Sequence, residues 1–446
     1  MKNNYFNLFT VVLLFFFSIY SNAQKKSNTN SSNKNQSEIE YSLTTENKKS
    51  LLETGYVRCL TVENEEALQK KYPNRYTNKQ FENWLKPKIS ELKSKRLKAK
   101  NQKSTKIYNI PVVIHIIHNG DPINTIGNIV GENISDAQAA SQIEIMNQDF
   151  RRMVGTPGGA NSTGLAVDVE INFCLAAQDE NGFPTTGIIR HNIAPYSNNV
   201  VDGPGGPDWE TRNDVETMKA NTQWDPTKYL NMWSFRPGGN DLDGLLGYAQ
   251  FPSNSGLVGL NNNGGAANTD GVVAGFDAFG SIAYNDGSFN MNGTYNLGRT
   301  MTHEVGHWLG LRHVWGDKQY DFQNGCDFDD YCDDTPNTET ANSYCDVVNT
   351  CPEPPPAVYD MVENYMDYTN DACMDTFTQD QKDRMVVVME NSPRRKELIN
   401  SIGCEAPIPS IYFNNSETTV IEGTSCGYKD IAISVSIAKA PSEDAI

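Results

Sequence analysis

The stretch His303-Glu-Val-Gly-His-Trp-Leu-Gly-Leu-Arg-His313 decides how the rest of the chain is interpreted. Histidines four positions apart lie one turn apart on the same helical face, so the first two can bind one metal ion. Gly310 can adopt the left-handed conformation that ends a helix, which lets the chain return His313 as a third ligand. Three neutral nitrogen ligands leave one position for water, as a catalytic zinc site requires. The spacing therefore predicts a zinc site formed by His303, His307 and His313.

Glu304 favours a catalytic metal site over a structural one. It follows the first histidine directly and can reach a water held on the metal, where a carboxylate serves as general base. The short core His-Glu-x-x-His occurs by chance, but the longer pattern fixes five residues and recurs on the order of once in 10⁴ chains. The alternative is two satisfied helix histidines with an exposed third. Three of the six histidines of the chain fall in this one stretch, which favours the metal site.

A second element, Asn364-Tyr-Met-Asp-Tyr368, lies downstream of this motif. Core packing would be the ordinary role of Met366, which is flanked by turn-forming residues. Together with the histidine motif, however, the segment resembles the Met-turn of metzincin metallopeptidases. The resemblance implies that Met366 forms a hydrophobic floor beneath the metal, and that Tyr368 donates a hydrogen bond to the developing oxyanion.

Several segments further resemble one metzincin family, the pappalysins. They are Gly298-Arg-Thr-Met-Thr-His-Glu304, Cys326-Asp-Phe-Asp-Asp-Tyr-Cys-Asp-Asp-Thr-Pro336, Glu363-Asn-Tyr-Met-Asp-Tyr368, Ile110-Pro-Val-Val-Ile-His115, Leu246-Gly-Tyr-Ala-Gln-Phe-Pro252 and Thr269-Asp-Gly-Val-Val273. The likeness covers about residues 107–400. It implies an α+β catalytic domain whose active-site helix lies below a twisted, mostly parallel sheet. An edge strand near Gly247 to Phe251 would align an extended peptide by main-chain hydrogen bonds.

The same resemblance implies a structural calcium ion, with Asp330 and Thr335 at matching positions. Hard oxygen donors as dense as those around Asp330 suit calcium, although the alternative is a solvated acidic loop. The family resemblance also implies a preference for arginine just after the scissile bond. The sequence alone does not identify the acidic residue that would select this arginine.

Two disulfides are implied by the resemblance, Cys326 with Cys351 and Cys345 with Cys373. Cys332 departs from the family pattern, because it falls where an apolar residue is expected. No partner can be assigned from the sequence to Cys332 or to the three other cysteines outside these pairs and the leader, which are Cys174, Cys404 and Cys426.

The start of the chain predicts export. Lys2 precedes an apolar run from Phe6 to Tyr20 and a small-residue cleavage site ending at Ala23, which together are typical of a signal peptide over residues 1–23. A membrane anchor is the alternative, but the run is short for a bilayer crossing and no second long apolar run follows. We therefore expect a protein that is secreted or held at the cell surface, where cysteines can form disulfides.

Residues 24–106 are interpreted as a pro-segment, disordered to about Ser50 and partly helical after it. Between Gln24 and Tyr108 there are 19 Lys and Arg against 9 Glu, a net charge of +10, whereas the whole chain has −18. Such a leader is attracted to the acidic remainder. Its single thiol, Cys59, can fill the open zinc position and keep the precursor inactive, as in pro-segments of pappalysin relatives. The alternative is a disulfide between Cys59 and Cys174.

The catalytic domain is expected over residues 107–404. Ile110 to His118 reads as a buried strand, in which His115 and His118 are better explained as histidines satisfied by neighbours than as ligands. Residues 405–446 predict short strands that look like the start of a Calx-beta-type β-sandwich that is not contained here in full.

These patterns together predict a secreted zinc endopeptidase made as a latent zymogen. Its expected partners are protein or peptide substrates and its own pro-segment, which acts as an intramolecular inhibitor. Nucleic acid is a poor partner for so acidic a body, and none is expected. The alternative is an extracellular adhesion protein with a degenerate zincin domain, but a structural zinc site has no need of Glu304.

Overall fold

The computed structural model describes residues 42–72, 75–98, 106–196, 202–203, 206–252, 267–291, 293–317, 323–351, 358–407, 411–413 and 435–437. The expected signal peptide, the start of the leader and Cys426 lie outside the described residues.

Nine α-helices are described: α1 Thr45–Thr54, α2 Thr61–Lys71, α3 Asn78–Lys98, α4 Asp136–Phe150, α5 Arg212–Thr222, α6 Gly239–Leu242, α7 Arg299–Trp308, α8 Gln379–Asn391 and α9 Arg395–Leu398. Short 3₁₀ turns span Pro157–Gly159, Ala267–Thr269, Phe276–Ala278, Ile282–Tyr284, Gly325–Asp327 and Asp371–Cys373. The described strands are β1 Tyr108–His118, β2 Ile171–Leu175, β3 Ile188–Asn192, β4 Asp202–Gly203, β5 Gly206–Pro207, β6 Leu230–Phe235, β7 Gly247–Ala249, β8 Val272–Gly275, β9 Ile411–Phe413 and β10 Val435–Ile437.

The pro-segment is more ordered than its composition predicts. Disorder was expected to about Ser50, but α1 begins at Thr45, so this expectation is wrong for residues 45–50. The hydroxyl of Thr44 accepts a hydrogen bond from the backbone N–H of Asn47 and caps the helix. Asn47 is buried, and its amide donates to the carbonyl of Cys59 (2.6 Å) and to Glu63 (2.8 Å). Polar residues are thus buried because they are hydrogen-bonded, which composition does not reveal.

A six-stranded sheet forms the centre of the catalytic domain, in the order β2-β1-β6-β8-β7 with β3 also paired to β1. Its pairs are parallel except the last, β7 with β8, so β7 is an antiparallel edge strand. In β1, every residue except Asn109 is apolar, aromatic or histidine. The strand is buried along almost its whole length, as expected for a central strand of a parallel sheet. The mostly parallel sheet and the edge strand confirm the expected fold class.

The site-bearing helix α7 lies against β7 and β8 and packs on α4. Met301, Val305 and Trp308 of α7 join the main hydrophobic core, together with β-branched residues of β1. Burying these side chains holds the helix in place beneath the sheet, since each contributes about 1.5–3 kcal/mol of transfer free energy.

The two histidines of β1 make hydrogen-bond contacts with neighbouring groups. His115 Nδ1 lies 3.1 Å from His191 Nε2, and His115 Nε2 lies 2.9 Å from Asn231 Oδ1. Because the amide oxygen only accepts, His115 must donate from Nε2 and accept at Nδ1. His118 accepts at Nδ1 from the backbone N–H of Gly120. Neighbours thus contact both ring nitrogens of His115 and one ring nitrogen of His118.

Three disulfides are described. Cys326–Cys351 and Cys345–Cys373 pair as the family resemblance implied, and a third links Cys174 in β2 to Cys404. The alternative pairing of Cys59 with Cys174 is therefore absent from the described structure. Near the C-terminus β9 and β10 form an antiparallel pair, in agreement with strands expected there, while the sandwich itself stays a prediction.

Candidate active site

Three histidine side chains converge at the end of α7. The Nε2 atoms of His303 and His307 are 3.1 Å apart. Nε2 of His313 lies 3.2 Å from that of His303 and 3.0 Å from that of His307. All three residues are buried. Ligand atoms ~2.0–2.1 Å from one tetrahedral zinc ion are ~3.3 Å apart, so the three nitrogens have close to the spacing of a zinc site.

The other ring nitrogens fix how these imidazoles are protonated. His303 Nδ1 lies 2.7 Å from the carbonyl of Tyr365, and His307 Nδ1 lies 2.8 Å from the carbonyl of Leu311. A carbonyl only accepts, so both Nδ1 atoms carry the hydrogen and both Nε2 atoms keep a free lone pair. Burial, followed by the neighbouring histidines, lowers the pKa of His303 and His307 well below the usual value. The imidazoles are therefore neutral, as metal ligands must be.

His313 is oriented by a carboxylate and an aromatic ring. Its Nδ1 lies 2.5 Å from Asp317 Oδ1, and its ring stacks on Trp315 with centroids 4.3 Å apart. The turn that returns His313 depends on Gly310, whose φ of +90° favours glycine, as the sequence predicted. Asp317 was not identified from the sequence, although an acidic residue four positions after the last histidine is the available signal.

Met366 lies beneath the helix that carries the first two histidines. A Cβ on Gly306 would come within 2.5 Å of the Met366 sulfur, so this glycine allows the close approach. Met366 is fully buried in the main core. Met366 thus packs against the helical turn between His303 and His307.

Cys59 of the pro-segment completes the cluster. Its Sγ and one nitrogen of each of His303, His307 and His313 all lie within 4.8 Å of one another. The thiol is buried, and burial, followed by the charge of Glu304, raises its pKa well above the usual value in the metal-free protein. The chemistry of the donor set, three imidazole nitrogens and one sulfur, suits zinc.

Glu304 faces the pro-segment across this cluster. Its Oε2 accepts a hydrogen bond from the Thr61 hydroxyl (2.9 Å) and lies 3.4 Å from the Cys59 sulfur. Burial raises the pKa of Glu304 to about 7. On the other side, the Tyr368 hydroxyl donates to the carbonyl of Cys59 at 3.2 Å. The two predicted catalytic residues therefore contact the same short peptide segment.

The pro-segment lies along the edge strand β7. The backbone N–H of Val57 donates to the carbonyl of Gly244 (2.9 Å), and that of Leu60 donates to the carbonyl of Gly247 (3.1 Å). Val57 also accepts from the N–H of Leu246, in a parallel bridge with Leu245. An extended peptide can thus add to this edge by main-chain hydrogen bonds.

Arg58 fills a pocket that the sequence did not reveal. Its guanidinium donates to the Thr300 hydroxyl (2.6 Å), pairs with Asp371 (3.5 Å) and lies 4.8 Å from the centre of the Tyr295 ring. Asp371 Oδ2 accepts from the N–H groups of Leu297 (2.9 Å) and Arg299 (3.2 Å) just before and at the start of α7. One oxygen of Asp371 is thereby fixed and the other faces Arg58.

The two residues expected to bind calcium, Asp330 and Thr335, are in direct contact. Asp330 Oδ1 accepts from the Thr335 hydroxyl (2.8 Å) and from the N–H of Cys332 (3.0 Å). Asp330 Oδ2 is buried, and no hydrogen bond to it is found in the described part of the chain. Cys332 has a free, buried thiol beside this loop.

The fold and this site define a metalloprotease of the metzincin type. The profile of the M43 peptidases, described as pregnancy-associated plasma protein-A, matches residues 213–390. An extracellular metalloprotease of Colletotrichum graminicola is 35% identical over 279 residues, which are 58% of this chain and 90% of that protein. Extracellular metalloprotease 1 of Coccidioides posadasii is 30% identical over 235 residues, 49% of this chain and 75% of that protein. The chain belongs to the M43, or pappalysin, family.

Two solved structures give the same result. Mature mirolysin of Tannerella forsythia, in complex with a cleaved peptide, is 35% identical with a TM-score of 0.51, over 69% of this chain and 100% of that chain. A promirolysin variant is 32% identical with a TM-score of 0.51, over 76% of this chain and 96% of that chain. The second likeness includes a precursor form. Among the described residues, no helix has the length and apolar character of a membrane span.

Proposed function

We propose that this protein is a secreted zinc endopeptidase, made as a latent precursor, that cleaves the peptide bond before an arginine. The observation that carries the proposal is the convergence of the Nε2 atoms of His303, His307 and His313 on one point that Cys59 closes from the pro-segment. Residues 1–23 would direct export, residues 24–106 would form the inhibitory segment and residues 107–404 the catalytic domain. Residues 405–446 would begin a separate β-sandwich.

The three histidines would hold the metal, and a zinc ion there supplies a Lewis acid that makes water acidic enough to react near neutral pH. Glu304 takes the proton from the attacking water, since its carboxylate lies beside the cluster and is released from its hydrogen bonds to Thr61 and Cys59 when the pro-segment leaves. Tyr368 donates a hydrogen bond to the oxyanion that develops on the scissile carbonyl. Its present hydrogen bond to the carbonyl of Cys59 supports this role, because that carbonyl takes the place of a substrate carbonyl.

Latency follows from the same contacts. Cys59 would occupy the open metal position as a thiolate and displace the water. The hydroxyl of the nearby Thr61 donates a hydrogen bond to the base Glu304, and the backbone carbonyl of Cys59 accepts one from Tyr368. The pro-segment thus engages each of the groups needed for hydrolysis, so the precursor is expected to be inactive until this segment is removed.

The preference for arginine is supported by the pocket that Arg58 occupies. Arg58 and Asp371 are both fully buried, so their ion pair is shielded from solvent and strongly selects a positive charge. The planar guanidinium can bond Thr300 and Asp371 at once, which a lysine ammonium does less well. We infer that Asp371 is the acidic residue that receives the substrate arginine. Calcium binding by Asp330 and Thr335 is proposed as a separate, structural feature.

The test uses the processed protein and two fluorogenic peptides that differ only in Arg or Gln after the scissile bond. We expect a higher kcat/KM for the Arg peptide. Glu304→Gln should keep bound zinc, because no ligand is lost, yet lower hydrolysis roughly 10²–10⁴-fold. An adhesion protein with a degenerate domain would cleave neither peptide. Full activity in Glu304→Gln with normal zinc content would contradict the mechanism.

A further inference from the structure

Two buried arginines of the catalytic domain share one carboxylate of the pro-segment. Arg384 donates to both oxygens of Glu82 (2.8 and 3.0 Å), and Arg312 donates to Oε1 (3.1 Å). Glu82 lies on α3, and all three side chains are almost fully buried. Burial raises the pKa of Glu82, but the positive charges of Arg384 and then Arg312 outweigh this and lower the pKa below its usual value. The carboxylate is therefore ionised.

The arginines are held in place by the catalytic domain itself. Arg384 also donates to the carbonyl of Gly310 at 2.9 Å. The Arg312 guanidinium lies 4.5 Å from the centre of the Phe251 ring. These contacts remain when the pro-segment leaves, so the position of the two cations is set before a substrate binds. A carboxylate site that is already organised binds with a smaller entropic cost.

Processing removes the only carboxylate that forms an ion pair with either arginine in the described part of the chain. Asp317 lies near Arg312 but is hydrogen-bonded to His313. Removing one partner of a buried ion pair leaves a charge that is costly unless water or another anion replaces it. The processed enzyme therefore presents two adjacent cations with the geometry of a carboxylate site.

Arg312 connects this pair to the metal cluster. It lines one crevice with the metal-site residue His307, with Asp317 and with Phe251, and Thr61 and Glu65 of the pro-segment form the facing wall. Along β7 the leader passes from Arg58, at the Asp371 pocket, through Cys59 to the region of Phe251, where Arg75 donates to the Phe251 carbonyl. The two arginines thus lie across the metal cluster from the Asp371 pocket.

We propose that Arg312 and Arg384 form a second substrate subsite, which binds an acidic side chain located before the scissile bond. The placement rests on the proposed function, in which the Asp371 pocket takes the arginine after that bond. In the precursor Glu82 occupies the subsite as Arg58 occupies the other pocket. The preferred substrate accordingly has an acidic residue upstream of the cut and an arginine directly after it.

The experiment uses the processed enzyme and peptides with arginine fixed after the scissile bond. Each of the second to fifth positions before the bond carries either Glu or Gln. We expect one position at which Glu raises kcat/KM roughly ten- to hundred-fold over Gln, because charge-assisted hydrogen bonds are stronger than neutral ones. Arg384→Gln should lower kcat/KM for the Glu peptide at that position about ten-fold more than for its Gln counterpart.

The matched control is Lys396→Gln, which removes one positive charge from an exposed side chain outside the cleft. It should keep the Glu-to-Gln ratio of the wild type. If Arg384→Gln does not fold, Arg312→Gln takes its place, and the wild-type scan decides in any case. Equal kcat/KM for Glu and Gln at all four positions would overturn the subsite while leaving cleavage before arginine intact. Failure to cleave any arginine peptide would instead overturn the proposed function.

Discussion

Replacing Asp371 by Asn isolates the charge that we infer to select arginine. Asp371 Oδ2 accepts hydrogen bonds from Leu297 and Arg299, and an asparagine oxygen can still accept them, so the start of α7 should stay capped. What is lost is the negative charge that faces Arg58 from 3.5 Å. The substitution therefore changes the pocket without removing a hydrogen-bond acceptor from the helix.

The size of the effect follows from this geometry. Hydrogen bonds to charged groups contribute about 1.5–3 kcal/mol, which corresponds to roughly 10- to 150-fold in a rate or binding constant. The 3.5 Å separation is that of an ion pair rather than a short hydrogen bond, so we expect the lower half of this range, about 10- to 40-fold. Complete burial of both side chains keeps the effect from being screened by salt.

The assay is kcat/KM of the processed enzyme with paired peptides that carry Arg or Gln after the scissile bond. Asp371→Asn should reduce the Arg-to-Gln ratio by the stated factor. Asp333→Asn, in which a 91% exposed carboxylate is neutralised, is the matched control and should keep the ratio. Zinc content and melting temperature verify the fold. An unchanged ratio in Asp371→Asn would refute the assignment of this pocket.

Three further predictions follow from the structure. Cys59→Ala should give an unprocessed chain that cleaves peptides, and a sulfur signal at about 2.3 Å in zinc-edge absorption of the wild type should disappear; only nitrogen and oxygen around zinc in the wild type would contradict this. Burial, and then a neighbouring histidine, lowers the pKa of His115 to about 3, so the unfolded state binds a proton that the folded state rejects below about pH 6.5. Stability should then fall by up to ~1.4 kcal/mol per pH unit toward pH 4 in urea titrations, and less steeply in His115→Gln. Millimolar calcium should raise the melting temperature, and Asp330→Asn should abolish that rise; an unchanged melting curve would refute the calcium site.

The metal cluster could be predicted because its geometry is local. The spacing of His303 and His307 follows from the helical repeat, and the return of His313 follows from a single glycine with a positive φ. Neither depends on the rest of the fold. The role of Tyr368 came instead from resemblance, and that of Cys59 from the chemistry of the single thiol in the leader together with resemblance. Residues 309 positions apart cannot be brought together by any local pattern.

The Asp371 pocket and the arginine pair could not be predicted for the same reason. Arg58 and Thr300 are 242 residues apart, and Glu82 and Arg384 are 302 apart. Their contacts depend on how the leader docks on the finished domain. The length of the ordered leader was also underestimated, since a rule based on composition treats Asn47 as a residue that cannot be buried.

The bounds of a strand could be predicted well where the strand is buried on both faces of the sheet. β1 is a continuous β-branched run and could be located almost to the residue. Its neighbour β2 is limited to Ile171–Leu175, the residues that pair with Tyr108 to Val112 of β1. The Cys174–Cys404 disulfide lay beyond prediction, because sequence alone does not determine which distant cysteines meet.

The leader offers more contacts than inhibition by a thiol requires. A sulfur at the metal would be sufficient to exclude water, yet the buried charges of the pro-segment include Arg58 and Glu82, which pair with charged side chains of the catalytic domain on opposite sides of the cluster. Burying a charge is costly unless a partner is already in place. Asp371 and the Arg312–Arg384 pair are such partners, and both belong to the catalytic domain, where they remain after processing. Sites that persist in the working enzyme are best explained by substrates that use them, so the charges of the inhibitor indicate the charges of the substrate.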